Sequence, residues 1–241
     1  MGWAPVVRAD ASLRVFAASS LSGLLEAAWA GTIDDAQIAY EGSGTIARQI
    51  AQGAPADLVI LADPDWMTWL GGQGIAFAAP PQAILGNTLV LIAPRPLPGT
   101  PPPTVWEQLS AAALSAALGD GRLAMGEHRA VPAGRYGKAW LDKMGAWATL
   151  SGRLAETSNV RAALALVALG ESPLGLVYHS DALAEPKVVI RYFVPPDQHP
   201  DIIYQAVALT PAGTRALALL TAPAGQRHFV NRGFALPKDA P

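Results

Sequence analysis

The chain has 241 residues, 51% of them hydrophobic and 15% charged, enough to bury one large core or two small ones and too apolar for a disordered chain. A net charge of -2 without a basic cluster gives nucleic acid or an anionic membrane nothing to grip, and no apolar run reaches bilayer-spanning length. With no cysteine, disulfide and thiol chemistry are excluded.

At the N-terminus, Ala9-Asp10-Ala11 has the small-x-small form of a signal-peptidase site, so Met1 to Arg8 reads as the remnant of a trimmed leader or as foreign to the native protein; no apolar secretory segment precedes it. Leu13 to Ala17 reads as a buried strand that breaks at Ser19 and Ser20. A helix over Ser20 to Ala30 should follow, with Leu21, Leu24, Leu25 and Ala28 on one face. The device repeats: a strand over Gln37 to Tyr40 leads through Glu41-Gly42-Ser43-Gly44 into a helix over Thr45 to Gln52. Asp57 to Ala62 is a continuous apolar strand, stopped by Asp63-Pro64-Asp65, which starts a helix carrying Trp66, Met67, Trp69 and Leu70. The alternation of strand and helix predicts an α/β domain with a parallel sheet covered on both faces.

Thr88 to Ala93 is a further apolar strand. The prolines from Pro94 to Pro103 then forbid regular structure and mark an expected domain crossing. A second α/β unit follows: a strand over Arg122 to Met125, a helix over Ala133 to Met144 with Pro132 at its mouth, a helix over Val160 to Leu169 behind Thr157-Ser158-Asn159, and strands over Leu174 to Tyr178 and Val188 to Val194. Ile202 to Leu209 reads as a strand returning toward the first unit. Pro211 to Phe229 reads as helix broken at Pro223.

Two strand ends that deliver hydroxyls into helix starts carry the chemistry. Unpaired N–H groups and the positive end of a helix dipole favour an anion there. Ser19 and Ser20 could equally be plain helix caps, and Ser43, between Gly42 and Gly44, a plain turn. Tyr178 closes an apolar strand, where a side chain of an open α/β sheet faces the ligand crevice; its plain alternative is a core tyrosine. Trp66 and Trp69 read as core or interface, and His128, His179, His199 and His228 as surface or loop residues without metal-ligand spacing. An enzyme using Ser20 or Ser43 as nucleophile would need a base within about 3 Å.

Taken together, several strings resemble the periplasmic molybdate-binding proteins of bacterial ABC transporters, the ModA family. They are Val15-Phe16-Ala17-Ala18-Ser19-Ser20-Leu21, Thr45-Ile46-Ala47-Arg48-Gln49-Ile50 running on to Ala62-Asp63, Gly86-Asn87-Thr88-Leu89-Val90, Val131-Pro132-Ala133-Gly134, Asn159 to Val167, and Pro173 to Tyr178. They fall in order from about Leu13 to Phe234.

The resemblance implies a type II periplasmic-binding-protein fold: two α/β lobes around a ligand cleft, joined by two crossover segments. Lobe I is expected at 12–88 and 206–241, and lobe II at 89–205. It implies a monomeric, periplasmic, non-enzymatic protein that binds molybdate or tungstate and passes it to an ABC transporter membrane permease. No cofactor, no nucleic-acid partner and no direct side-chain coordination of the metal are expected. Another small oxyanion, such as sulfate or phosphate, is the alternative ligand. The family's contacts carry over to the hydroxyls of Ser20, Ser43 and Tyr178 and to the amides of Ala133 and Val160. The chain departs from the pattern at Gly44, where many relatives have serine, and at Gly126-Glu127-His128, where relatives often have a Gly-Asp-Pro turn.

Overall fold

The computed structural model describes residues 12–101 and 103–237; the Ala9-Asp10-Ala11 motif lies outside them. In the first lobe β1 (Leu13–Ala18), α1 (Leu24–Trp29), β2 (Ala36–Glu41), α2 (Ser43–Ala51), β3 (Leu58–Leu61), α3 (Pro64–Gly71) and β4 (Gln82–Asn87) follow in order. The chain then passes through β5 (Leu89–Pro94), α4 (Ala111–Leu118), β6 (Leu123–Gly126), α5 (Pro132–Lys143), α6 (Trp147–Leu150), β7 (Leu154–Thr157), α7 (Val160–Ala168), β8 (Leu174–Tyr178), α8 (His179–Ala184) and β9 (Val188–Phe193). It finishes with β10 (Ile202–Ala208), α9 (Pro211–Thr221) and α10 (Pro223–Val230).

Two five-stranded sheets result, in the orders β2-β1-β3-β10-β4 and β7-β6-β8-β5-β9. Both are built alike. Three strands run parallel, and the other two pairings are antiparallel: β3–β10 and β10–β4 in one sheet, β8–β5 and β5–β9 in the other. The expectation of purely parallel sheets is therefore corrected to mixed ones. The reason is the exchange of strands: β5 and β10 each arrive from the other lobe and enter against the local direction. Four consecutive buried residues in β3 and five in β8 fit strands covered on both faces.

The outward crossing occurs at Thr88, between β4 and β5, ahead of the prolines expected to mark it. Pro94 still closes β5, and Pro96, Pro98, Pro101 and Pro103 lie in a largely exposed loop of the second lobe. The return crossing lies between Phe193 and Ile202. A lobe boundary at 206 would cut β10, which is already paired with β4 from Ile202↔Asn87.

The expected helix over Ser20 to Ala30 is broken. Ser19–Leu21 form one 3₁₀ turn, and α1 starts only after Gly23, whose φ of 75° lies in the left-handed region. The break lets Leu21, Leu25 and Trp29 all reach zero exposure, with the Trp29 indole donating to the Ala216 carbonyl of α9 at 3.2 Å. Burying such side chains contributes roughly 1.5–3 kcal/mol each. Of the tryptophan pair, Trp69 is 38% exposed and leaves the core, whereas Trp66 faces the second lobe.

In both sheets the parallel strands β2, β3, β7 and β8 run at their carboxyl ends into the starts of α2, α3, α7 and α8, while β6 reaches α5 through a short loop. These ends define the crevice of an open α/β sheet.

Candidate functional site

Ser20, Ser43, Ala133, Val160 and Tyr178, nominated from the sequence, all line a single narrow cleft between the lobes. All five are at most 3% exposed. Ser19, Glu41, Gly42, Ala62, Val131 and Pro132 complete much of its wall.

Ser20 is not a helix cap: it lies inside the 3₁₀ turn, whose cap position is Ala18, and α1 is capped at Gly23. Its hydroxyl lies 2.8 Å from that of Tyr204 on β10, which is fully buried. The polarity of this pair can be derived. The Asn87 side-chain carbonyl accepts from the Thr88 N–H at 2.9 Å, which fixes the amide orientation. The Asn87 NH₂ then donates to Ser180 Oγ (2.8 Å) and to Tyr204 Oη (3.3 Å). With Tyr204 accepting from behind, its own proton is available to Ser20 Oγ, an arrangement that leaves the Ser20 proton for the cleft.

Ser43 reaches the same state by another route. It is the first residue of α2, behind Gly42, and its Oγ accepts from the Ala62 N–H at 3.0 Å. Its proton is also free for the cleft. An oxygen that accepts from the protein can donate to a ligand.

The second lobe supplies Tyr178 from the end of β8. Its hydroxyl is buried and has no hydrogen-bond partner among the described residues. Its ring meets that of Tyr204 edge-on, with centroids 6.0 Å apart. Burial pushes the Tyr178 and Tyr204 hydroxyls well above the ordinary tyrosine pKa, so both keep their protons near neutrality. The amides come from helix starts. α5 opens at Pro132 without a side-chain cap, leaving the Ala133 N–H among its free donors. In α7 the cap residue Asn159 accepts from Ala162 N at 3.0 Å, not from Val160.

One charged pair escaped the sequence reading. Arg161, second in α7, places Nε 2.7 Å from Oδ1 of the fully buried Asp181 and donates from Nη2 to the Ser20 carbonyl at 3.3 Å. Burial pushes Asp181 up to about 6, against the pull of Arg161. The signal that could have found the pair is an arginine one residue past a helix start, with an aspartate three residues past the strand-end tyrosine.

Both departures from the expected pattern have physical accounts. A Cβ at Gly44 would lie 2.7 Å from the Ala130 carbonyl oxygen and 2.7 Å from the Trp66 ring, so residue 44 is the floor on which the opposite lobe rests. In the Gly126-Glu127-His128 loop, the Glu127 carboxylate accepts from Ala130 N (2.8 Å) and Arg129 Nε (2.7 Å) and closes the turn into α5. Glu127, His128 and Glu156 bring ligating atoms within 4.8 Å of one another, but the His128 ring nitrogen already sits 2.6 Å from Glu156. No histidine lines the cleft among the described residues.

Residues 13–235 match the family described as bacterial extracellular solute-binding protein. The molybdate-binding protein ModA of Escherichia coli (strain K12) is 39% identical over 203 residues, covering 81% of this chain and 76% of that one. The protein of the same name from Haemophilus influenzae is 31% identical over 238 residues, covering 94% and 91%. The solved structure of the periplasmic molybdate-binding protein of Azotobacter vinelandii superposes with a TM-score of 0.78 at 23% identity, over 94% of this chain and all of that one, a likeness of fold.

Proposed function

The chain belongs to the bacterial extracellular solute-binding proteins and, among them, to the ModA family, and from that premise we propose that it captures molybdate in the interlobe cleft and delivers it to an ABC transporter in the membrane. One observation supports this reading above the others: a buried tyrosine hydroxyl without a hydrogen-bond partner among the described residues lines the same cleft as two serine hydroxyls held from behind by Tyr204 and the Ala62 amide. Such a site offers protons and takes none, which suits a tetrahedral dianion with four acceptor oxygens and no donor.

The contacts would be the hydroxyls of Ser20, Ser43 and Tyr178 and the amides of Ala133 and Val160. Each charge-assisted bond contributes roughly 1.5–3 kcal/mol net, and helix termini add about 0.3–2 kcal/mol. A handful of these reaches the roughly 8–12 kcal/mol of micromolar to nanomolar affinity after association costs. Arg161 stands behind the wall with its charge met by Asp181, so no bare cation has to be desolvated. The serine hydroxyls engage Tyr204 and the Ala62 amide, a poor arrangement for a nucleophile that needs a base.

Tungstate, of the same charge and shape, is expected to bind as molybdate does, and sulfate to be disfavoured by size. The protein would work in the periplasm, and one chain supplies every contact. Calorimetric titration with molybdate, tungstate, sulfate and phosphate tests the reading. Tight one-to-one heats for the first two alone support it; equal affinity for sulfate and molybdate would remove the size argument.

A further inference from the structure

The lobes touch across the cleft mouth through a second set of contacts that do not face the cleft. Arg135 lies on α5, two residues after Ala133. Its Nη1 donates to Asp63 Oδ2 at 2.5 Å and its Nη2 to Asp65 Oδ2 at 2.6 Å, both at the start of α3 in the other lobe. One residue on, the Trp66 indole donates to the Ala130 carbonyl at 2.9 Å. The Trp66 ring lies over Gly44, where a Cβ would collide with it, and the Arg48 guanidinium sits 5.4 Å from its centroid. Tyr136 adds a hydroxyl bond of 3.3 Å to the Ala62 carbonyl.

We propose that Arg135, assisted by Trp66, is a latch that sets how long the lobes stay closed on the bound anion. It is a positioning residue that touches no ligand, and the idea rests on the reading of the cleft as an anion site. Geometry ties latch to site at both ends. Arg135 shares the first turn of α5 with the Ala133 amide. Its partner Asp63 follows Ala62, whose N–H holds Ser43. An anion that draws α5 toward Ser43 therefore also seats Arg135 between its carboxylates.

The two arms differ in environment. The Asp63 side chain is 5% exposed, Arg135 33% and Asp65 74%. The Asp63 arm is the shielded one and should carry most of the effect; the Asp65 arm is open to water and salt. Because closure follows encounter, losing the latch should speed release and leave association nearly unchanged.

The chain has no cysteine, so Gln73→Cys and Ser151→Cys, exposed positions in different lobes, can carry spin labels to report the interlobe distance. Release of molybdate and the label distance are measured for the otherwise unchanged protein and for Arg135→Met, Arg135→Lys, Asp65→Asn and, as a control, exposed Arg227→Met. Arg135→Met should release molybdate about tenfold faster, with association changed by less than about twofold and the distance distribution widened. Arg135→Lys, limited to one carboxylate at a time, should fall between, and Asp65→Asn should change release by less than about threefold. It also keeps the question open to test if the Met variant does not fold. If Arg135→Met and Arg135→Lys release at the unaltered rate with an unaltered distance, the latch is overturned and the anion site stands. If the unaltered protein takes up no molybdate but its ligand-free lobes sit closer than those of Arg135→Met, the latch stands and the proposed ligand falls. If neither differs, both fall.

Discussion

The two lobes furnish the cleft with hydroxyls in opposite states. In the first lobe Ser20 and Ser43 are tied from behind by Tyr204 and by the Ala62 amide. In the second lobe the Tyr178 hydroxyl is tied to nothing among the described residues. In the proposed site the first lobe is thus the preorganised half, its hydroxyls held by protein partners. The second contributes a hydroxyl that no described residue engages, left for a ligand or solvent in the cleft. Stability and affinity are therefore coupled in the first lobe and separable in the second.

Substitutions at the serines should give the largest combined effect. Ser43→Ala leaves the buried Ala62 N–H unsatisfied, and Ser20→Ala breaks the Tyr204 pair. Each should lower the stability of the free protein by roughly 1–3 kcal/mol, and molybdate affinity by roughly 1.5–3 kcal/mol as well. Thermal melting and calorimetry read the two quantities. Tyr178→Phe should cost the same roughly 1.5–3 kcal/mol of affinity, but with melting of the free protein unchanged or slightly raised, because it removes a buried hydroxyl that has no partner. A fall in melting like that of the serine variants would break the comparison.

A third test concerns the buried Asp181 of the second lobe. Asp181 is pushed up to about 6 by burial, above its ordinary value of 3.8. A group raised in the folded state contributes stability that is present below the unfolded pKa and lost as pH rises through the folded one. The stability of the native protein relative to Asp181→Asn should therefore fall between about pH 4 and pH 6, by on the order of 2 kcal/mol. A difference that is flat over that window, measured by denaturant titration, would mean that Asp181 is ionised throughout. The smallest effect is that of salt. Between low and physiological ionic strength molybdate affinity should drop less than about threefold, mostly through release, because the cleft donors are neutral and only the latch is open to screening. A steep loss would point to a cation in direct contact with the anion.

Much of this was legible in the sequence, for identifiable reasons. The strands β3, β5 and β8 are continuous apolar runs and β1 is apolar but for Arg14, and α2, α5 and α7 begin at glycine, proline or asparagine signals, so strand ends and helix starts could be read locally. Ser20, Ser43 and Tyr178 stand at such positions, and the family resemblance added the amides of Ala133 and Val160 at two helix starts; all five line one cleft. What could not be read is what depends on partners distant in the chain. Tyr204 meets Ser20 across 184 residues, and Arg161 meets the Ser20 carbonyl across 141. The antiparallel strands of each sheet are set by the crossings, not by their own composition. Short elements were missed for lack of a period: α4 is nearly all alanine and leucine, β7 has four residues and α8 six. Gly44 looked like a lost hydroxyl; only the packing of Trp66 and Ala130 on it reveals a contact surface.

The central claim is that the first lobe's half-site is completed by Tyr178 on an oxyanion. Crystals grown with molybdate, with data collected at the molybdenum absorption edge, test it most directly. The account predicts one anomalous peak between Ser20, Ser43 and Tyr178, an anion oxygen about 2.5–3.0 Å from Tyr178 Oη, and the Ser20–Tyr204 and Ser43–Ala62 bonds retained. A peak outside this cleft, or an anion in it that leaves the Tyr178 hydroxyl unengaged, would contradict it.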